Sequence, residues 1–235
     1  PGKGLSHSRS ASHGGQGGYA ESTGPGQTYG VIRTPTNIGS GAENGRGGGA
    51  IRMDVAGAAT IDGTVRARGQ GVSGLIAGGA GGSVWLRTGT LAGAGTLDAN
   101  GGDSSTTDRG GGGGGRVAVV VTNGGSWGSV RMTAHGGGFG AQKGAAGTVY
   151  VETTNHAAGA GRLLLDNTNW GFGIHACTVP SETLDLGGFA EVIVTNTAML
   201  VVGSNTTVHF GSAPVHGGGR IKLRATNGVA FPPSY

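Results

Sequence analysis

An all-β chain is what this sequence predicts: a glycine-rich β-solenoid, parallel β-helix-like, with short stacked strands and long glycine-rich loops. Three observations predict it. The first is a period. Glycines followed by an apolar/polar alternation recur at Gly47–Val55, Gly81–Arg87, Gly115–Val121 and Gly147–Glu152, and the marker residues Ile51, Val84, Val117 and Val149 are evenly spaced, about 33 residues apart. Self-similarity at such a period signals stacked supersecondary units, and two-residue alternation signals strands. The second is a companion motif inside each period: Gly63-Thr-Val-Arg-Ala-Arg-Gly69, Gly95-Thr-Leu-Asp-Ala-Asn-Gly101 and, more loosely, Gly128–Gly136. Each period therefore supplies two short strands. The third is a tighter beat, since Leu184, Val192, Leu200 and Val208 follow one another at an even interval of about eight residues.

Taken in order, residues 1–46 read as a glycine-rich N-terminal arm, either loops packed along a scaffold or a free segment, with one short apolar run at Tyr29–Ile32. His7 and His13 have no carboxylate or cysteine beside them and read as solvated loop histidines rather than metal ligands. Residues 47–167 form the block of period about 33. Residues 168–235 carry the tighter rungs: three strands of the short beat give about 24 residues per coil, Arg220–Arg224 adds a strand, and Pro232-Pro233 stops pairing.

Glycine supplies 56 of 235 residues. No Gly-X-Y triplet is present, which excludes collagen, and the regular β-branched strands argue against disorder. Because glycine weakens the interior of a strand, most of these residues are expected at turns, where a positive φ suits them. The six-glycine run Gly110–Gly115 leads through Arg116 into a β-branched strand, whereas a phosphate loop needs Gly-Lys-Ser/Thr leading into a helix. Bare glycine here lets backbones approach closely, strand on strand or as polyproline-II-like rods.

The formal charge is +4, from 16 basic and 12 acidic residues. The arginines are scattered rather than striped, and aromatics make up 5% of the chain, which speaks against nucleic-acid binding. Weak attraction to an anionic polysaccharide or a cell surface fits the charge equally well. No apolar run reaches the roughly 18 residues of a membrane span. Pro1 in place of methionine suggests a processed mature protein or an excised piece. The single cysteine, Cys177, excludes an intrachain disulfide; it reads as a small buried hydrophobe, or more sharply as an intermolecular bridge.

Asp98, Asp103 and Asp108 form the calcium candidate, since hard cations want several oxygens, although the run matches neither the EF-hand loop nor the glycine-aspartate nonapeptide. An aspartate-rich turn is the plainer reading, and no other cofactor is indicated. Twelve acidic residues are spread thinly, and no nucleophile elbow marks a Ser-His-Asp site. No catalytic residues are therefore assigned. Trp85, Trp127, Tyr150 and Trp170 could offer stacking faces to a sugar, but packing is the commoner use of such rings.

The ordered motifs Ser12–Gly18, Tyr29-Gly30, Pro35–Ser40, Gly48–Arg52, Gly81–Leu86, Gly95–Gly102, Gly110–Val117, Gly147–Val151 and Leu163–Asn167 resemble a glycine-rich repeat segment of very large secreted or cell-surface bacterial proteins. The resemblance covers about residues 12–167 and implies an extracellular, adhesin-like or matrix context with β-solenoid neighbours. It brings no catalytic residues. Independently, a solenoid without caps leaves backbone groups unpaired at its ends, and such edges recruit further strands. The expected function is a non-enzymatic extracellular structural protein, a subunit or domain of a fibre, stalk or adhesin that associates end to end or by strand exchange. A carbohydrate-binding, lyase or hydrolase β-helix module is the alternative.

Overall fold

The computed structural model describes residues 11–18, 26–42, 45–72, 77–105, 110–138, 142–168, 177–178, 184–202, 208–209, 215–216 and 220–223. Apart from a 3-10 turn at Leu186–Gly188, every regular element among them is a β-strand. The long strands β1 (Ala50–Thr60), β3 (Ser83–Ala92), β5 (Arg116–Val121) and β7 (Thr148–Glu152) stack in parallel, and the short strands β2 (Thr64–Arg66), β4 (Thr96–Asp98) and β6 (Arg131–Thr133) form a second parallel sheet. Ile51 pairs with Val84, Val84 with Val117 and Val117 with Val149, so the sequence period is the coil of the solenoid.

Alternation decides what each coil buries. Val84, Leu86, Val117 and Val119 point inward and are fully buried, meeting Leu97 and Ala99 from the short-strand side. Each such side chain stabilises the fold by about 1.5–3 kcal/mol. In the short sheet Val65, Leu97 and Met132 are register partners, and the looser third copy therefore enters at Met132 rather than Val130.

The third side of each wide coil is dominated by glycine and contains no strand among the described residues. Successive backbone donors of Gly111, Gly112 and Gly113 go to three different neighbours: Gln142 in the next coil, Gly102 in the outgoing run of the same coil, and Ala11 in the N-terminal segment. Gly114 and Gly115 then repeat the first two directions, to Ala145 and Ala99. Residues 78–82 follow the same cycle, to Gly110, Gln70, Ser40, Gly113 and Ala67. A pleated strand has only two bonding edges; a three-direction cycle belongs to an extended rod with three residues per turn, the polyproline-II geometry. The rods cross-link in layers, with the described parts of the predicted arm forming one of them.

This packing overturns the expectation that the glycines serve turns. Among described glycines only Gly30, Gly93, Gly128 and Gly159 have positive φ. The rods need glycine because there is no room for a Cβ: one added at Gly81 would lie 1.9 Å from the Ala99 oxygen, and one at Gly115 2.0 Å from that of Gly82.

After β7 the chain reverses. β8 (Arg162–Asp166) pairs antiparallel with β7, and from β8 a second parallel stack continues through β11 (Glu191–Thr195) and β14 (Val215–His216). β9 (Cys177–Thr178), β12 (Met199–Val202) and β15 (Arg220–Leu223) form its second side, and β10 (Leu184–Asp185) with β13 (Val208–His209) a third. Leu184 pairs with Val208, so one coil of this stack spans three steps of the short sequence beat. The reversal also corrects the picture of two open ends, since β8 covers the β7 edge of the wide coils. Tyr150 locks this seam: its buried hydroxyl donates to Glu152 Oε2 at 2.5 Å and accepts from the Gly161 N–H at 2.9 Å.

Candidate functional site

At the opposite end of the wide coils, β1 pairs with β3 alone among the described residues, leaving one edge of an 11-residue strand open. Ile51, Met53, Val55 and Val65 are half-buried, whereas their stacking partners Val84, Leu86, Thr88 and Leu97 are buried. The glycines of this coil are the informative residues. Within the stack, a Cβ on Gly82 would strike the Gly49 oxygen at 1.9 Å, one on Gly89 the Gly57 oxygen at 2.7 Å, and one on Gly95 the Gly63 oxygen at 2.2 Å. Each inner glycine is thus required by the coil before it. Gly49, Gly57 and Gly63 occupy the same places on the outermost coil, where an added Cβ would meet nothing within 4 Å. None of the three has a positive φ. Packing within the described chain gives no reason for glycine at these positions; a further coil laid on β1 would give one at Gly49, whose column is glycine in every wide coil, whereas Thr122 and Val130 stand opposite Gly89 and Gly95 in the third coil.

A buried polar node lies where the N-terminal segment crosses the root of β5. The fully buried Arg116 donates through Nε and Nη2 to the Tyr29 carbonyl, at 3.1 and 3.0 Å, and through Nη1 to Thr148 Oγ1 at 2.9 Å. His13, also fully buried, places Nδ1 2.7 Å from the Gly81 carbonyl and stacks on Tyr29 with ring centres 4.7 Å apart. A carbonyl only accepts, so Nδ1 carries the proton. Burial first, then the Arg116 charge, push the His13 pKa down to about 4. Gly30, at φ 80°, fits beneath the ring; a Cβ there would approach Asn37 Oδ1 at 3.0 Å and His13 Nε2 at 3.3 Å. The reading of His13 as a solvated loop histidine is therefore wrong. A lone histidine among glycines carries no pattern that announces burial, because its cover comes from residues far away in sequence. The node ties the N-terminal segment to the coils. His7 lies outside the described residues.

The other sequence candidates are dispersed. Asp98 pairs with Arg66 at 3.3 Å and accepts from the Asn100 N–H at 2.9 Å, while Asp103 pairs with Arg68 at 2.9 Å and accepts from the Gly138 N–H at 2.7 Å. These two carboxylates thus brace loops, and Asp108 lies outside the described residues. Among the described residues no three His, Cys, Asp or Glu side chains gather to hold a metal. Tyr150 is buried in the seam and offers no stacking face. One face of Trp85 is taken by the Arg52 guanidinium, 4.3 Å from the ring centre. Trp127 is half-buried at the edge of a groove, and Trp170 lies outside the described residues. Cys177 pairs with Leu200 in the second stack.

Fold and open end together define a β-solenoid whose wide coils have one glycine-rod side. No family model, curated protein or solved structure matches the chain. No helix among the described residues is long and apolar enough to cross a membrane.

Proposed function

We propose that this chain is a non-enzymatic structural protein, a subunit or domain of an extracellular fibre, stalk or adhesin, which joins a second copy through the β1 end of its wide coils. The observation that carries the reading is Gly49, Gly57 and Gly63, which have free space where their partners in the next coil, Gly82, Gly89 and Gly95, are pressed against backbone, with the Gly49 column remaining glycine in every wide coil. The open β1 edge supplies unpaired backbone groups to the partner, and the half-buried Ile51, Met53 and Val55 supply apolar contact. The placement outside the cell rests on the resemblance of residues 12–167 to secreted repeat segments.

Sedimentation and electron microscopy over a concentration series test this. The wild-type chain is expected to associate, while Gly57→Lys, which has free space in the single chain, stays monomeric with an unchanged melting temperature. A wild-type chain that is monomeric at every concentration, or a variant that associates equally well, overturns the reading.

A further inference from the structure

The chain reversal leaves a groove that plays no part in self-association through β1. The short-strand sheet ends at β6, which pairs only with β4 among the described residues, while β7 goes on to pair with β8. Between β6 and the β7–β8 seam lie two adjacent lobes, of about 210 and 160 Å³, that share Met132 and Val149 in their apolar lining. We infer that this groove binds a short stretch of a neutral polysaccharide, one sugar ring to each lobe.

The lining supports that chemistry. In the larger lobe Thr133 and Thr168 carry hydroxyl oxygens that are buried and have no hydrogen-bond partner. Buried polar atoms are normally satisfied, and each of these enclosed hydroxyls reaches a guest in the lobe only by turning about its Cα–Cβ bond. Thr168 is also held at φ 53°, a costly conformation for a β-branched residue, with its N–H bonded to Asp166 Oδ1 at 2.8 Å. Asn196 Nδ2 donates to the same oxygen at 3.0 Å, which fixes the Asp166 carboxylate at the lobe wall. Arg131, exposed at the rim, forms no ion pair among the described residues. One carboxylate acceptor, one guanidinium donor and two hydroxyls suit sugar hydroxyls, which both donate and accept.

The smaller lobe carries the Trp127 indole, with the Arg162 guanidinium 5.9 Å from its ring centre, together with Val130, Leu164 and Ile193, a mainly apolar wall for the C–H face of a second ring. Charge selects the class of glycan. Arg162 is paired with Glu191 at 2.5 Å, and the larger lobe is lined by one arginine, Arg131, and one carboxylate, Asp166, so the groove carries equal numbers of arginines and carboxylates and no surplus for a polyanion. A peptide strand is the poorer fit, because β6 offers it an edge of only three residues.

Calorimetric titration of the wild-type chain with cellotetraose, xylotetraose, mannotetraose and maltotetraose, with tetragalacturonate and an extended tetrapeptide alongside, tests the inference. At least one neutral tetrasaccharide should bind, and tetragalacturonate and the peptide should not. Two variants tie binding to the groove. Trp127→Ala should weaken it at least tenfold. Thr133→Val removes an unpartnered hydroxyl at constant shape, so it should keep or raise thermal stability while weakening binding about threefold or more. Failure of all four neutral sugars, preference for the acidic sugar or the peptide, or binding untouched by Thr133→Val and Trp127→Ala overturns it. Because the groove lies at the seam and away from β1, self-association should be the same with and without sugar.

Discussion

Two glycine-to-alanine substitutions in one stacking column should change stability in opposite directions. Gly49, Gly82, Gly115 and Gly147 follow one another along the solenoid, each of the last three facing the backbone of the coil before it. At Gly115 the new methyl would sit 2.0 Å from the Gly82 oxygen and 2.6 Å from the Gly81 carbonyl carbon. Ordinary contact requires separation by more than a further ångström. The obstructing atoms are backbone on a coil held by its own bonds, and opening the gap stretches the Arg116 N–H to Gly82 and Gly115 N–H to Ala99 bonds, 2.9 and 2.8 Å long. Overpacking of this kind costs about 1–3 kcal/mol, and a weakened buried bond adds about 1 kcal/mol. Against this stands a gain of about 0.4–1 kcal/mol from the less flexible unfolded chain. The net loss is about 2–3 kcal/mol, a fall of roughly 4–12 °C in melting temperature for a chain of this size. At Gly49 the methyl meets nothing within 4 Å, so the unfolded-state gain remains alone and melting should rise by about 1–4 °C. Calorimetry at a dilution where the chain is monomeric reads both. Equal destabilisation by the two substitutions, or a neutral Gly115→Ala, would refute the account of why the rods are glycine.

Three further outcomes follow from the node and the seam. His13 has a folded pKa of about 4 against 6.5 unfolded, so it favours the folded state fully above pH 6.5 and loses that contribution as pH falls toward 4. The span is worth about 3 kcal/mol; unfolding midpoints across that window should fall less steeply in His13→Gln than in wild type, and parallel curves would contradict the assignment. Arg33 donates to the carbonyls of Gly159 and Gly188, at 2.6 and 2.9 Å, and lies 4.1 Å from the Phe189 ring centre, tying the N-terminal segment to the second stack. Arg33→Ala should cost about 1.5–3 kcal/mol and speed proteolytic cleavage within residues 26–42; an unchanged cleavage rate would discount the tie. Tyr150→Phe leaves the Gly161 N–H without its acceptor at the β7–β8 seam and should cost about 1–3 kcal/mol in chemical denaturation.

Part of the fold is legible in the chain alone. The spacing of Ile51, Val84, Val117 and Val149 sets the coil register because a parallel stack places the same phase of each repeat at the same height. The shorter beat likewise anticipates the pairing of Leu184 with Val208. The groove is only half visible: Trp127 stands out as an aromatic, but Thr133, Thr168 and Asp166 are common residues whose convergence depends on β8 running against β7. Nothing in local patterning marks that reversal, since a strand reads the same whichever way its neighbour runs.

What the sequence determined by itself is therefore periodic: all-β class, two coil lengths, and the inward faces of the strands, each set by alternation and repetition along the chain. Tertiary structure decided where the glycines go and what they are for. A run of six glycines is equally compatible with turns, loops and rods, and only the presence of neighbours on three sides, each within 3 Å of where a Cβ would stand, makes glycine obligatory there, whereas at Gly49, Gly57 and Gly63 the described chain supplies no such neighbour.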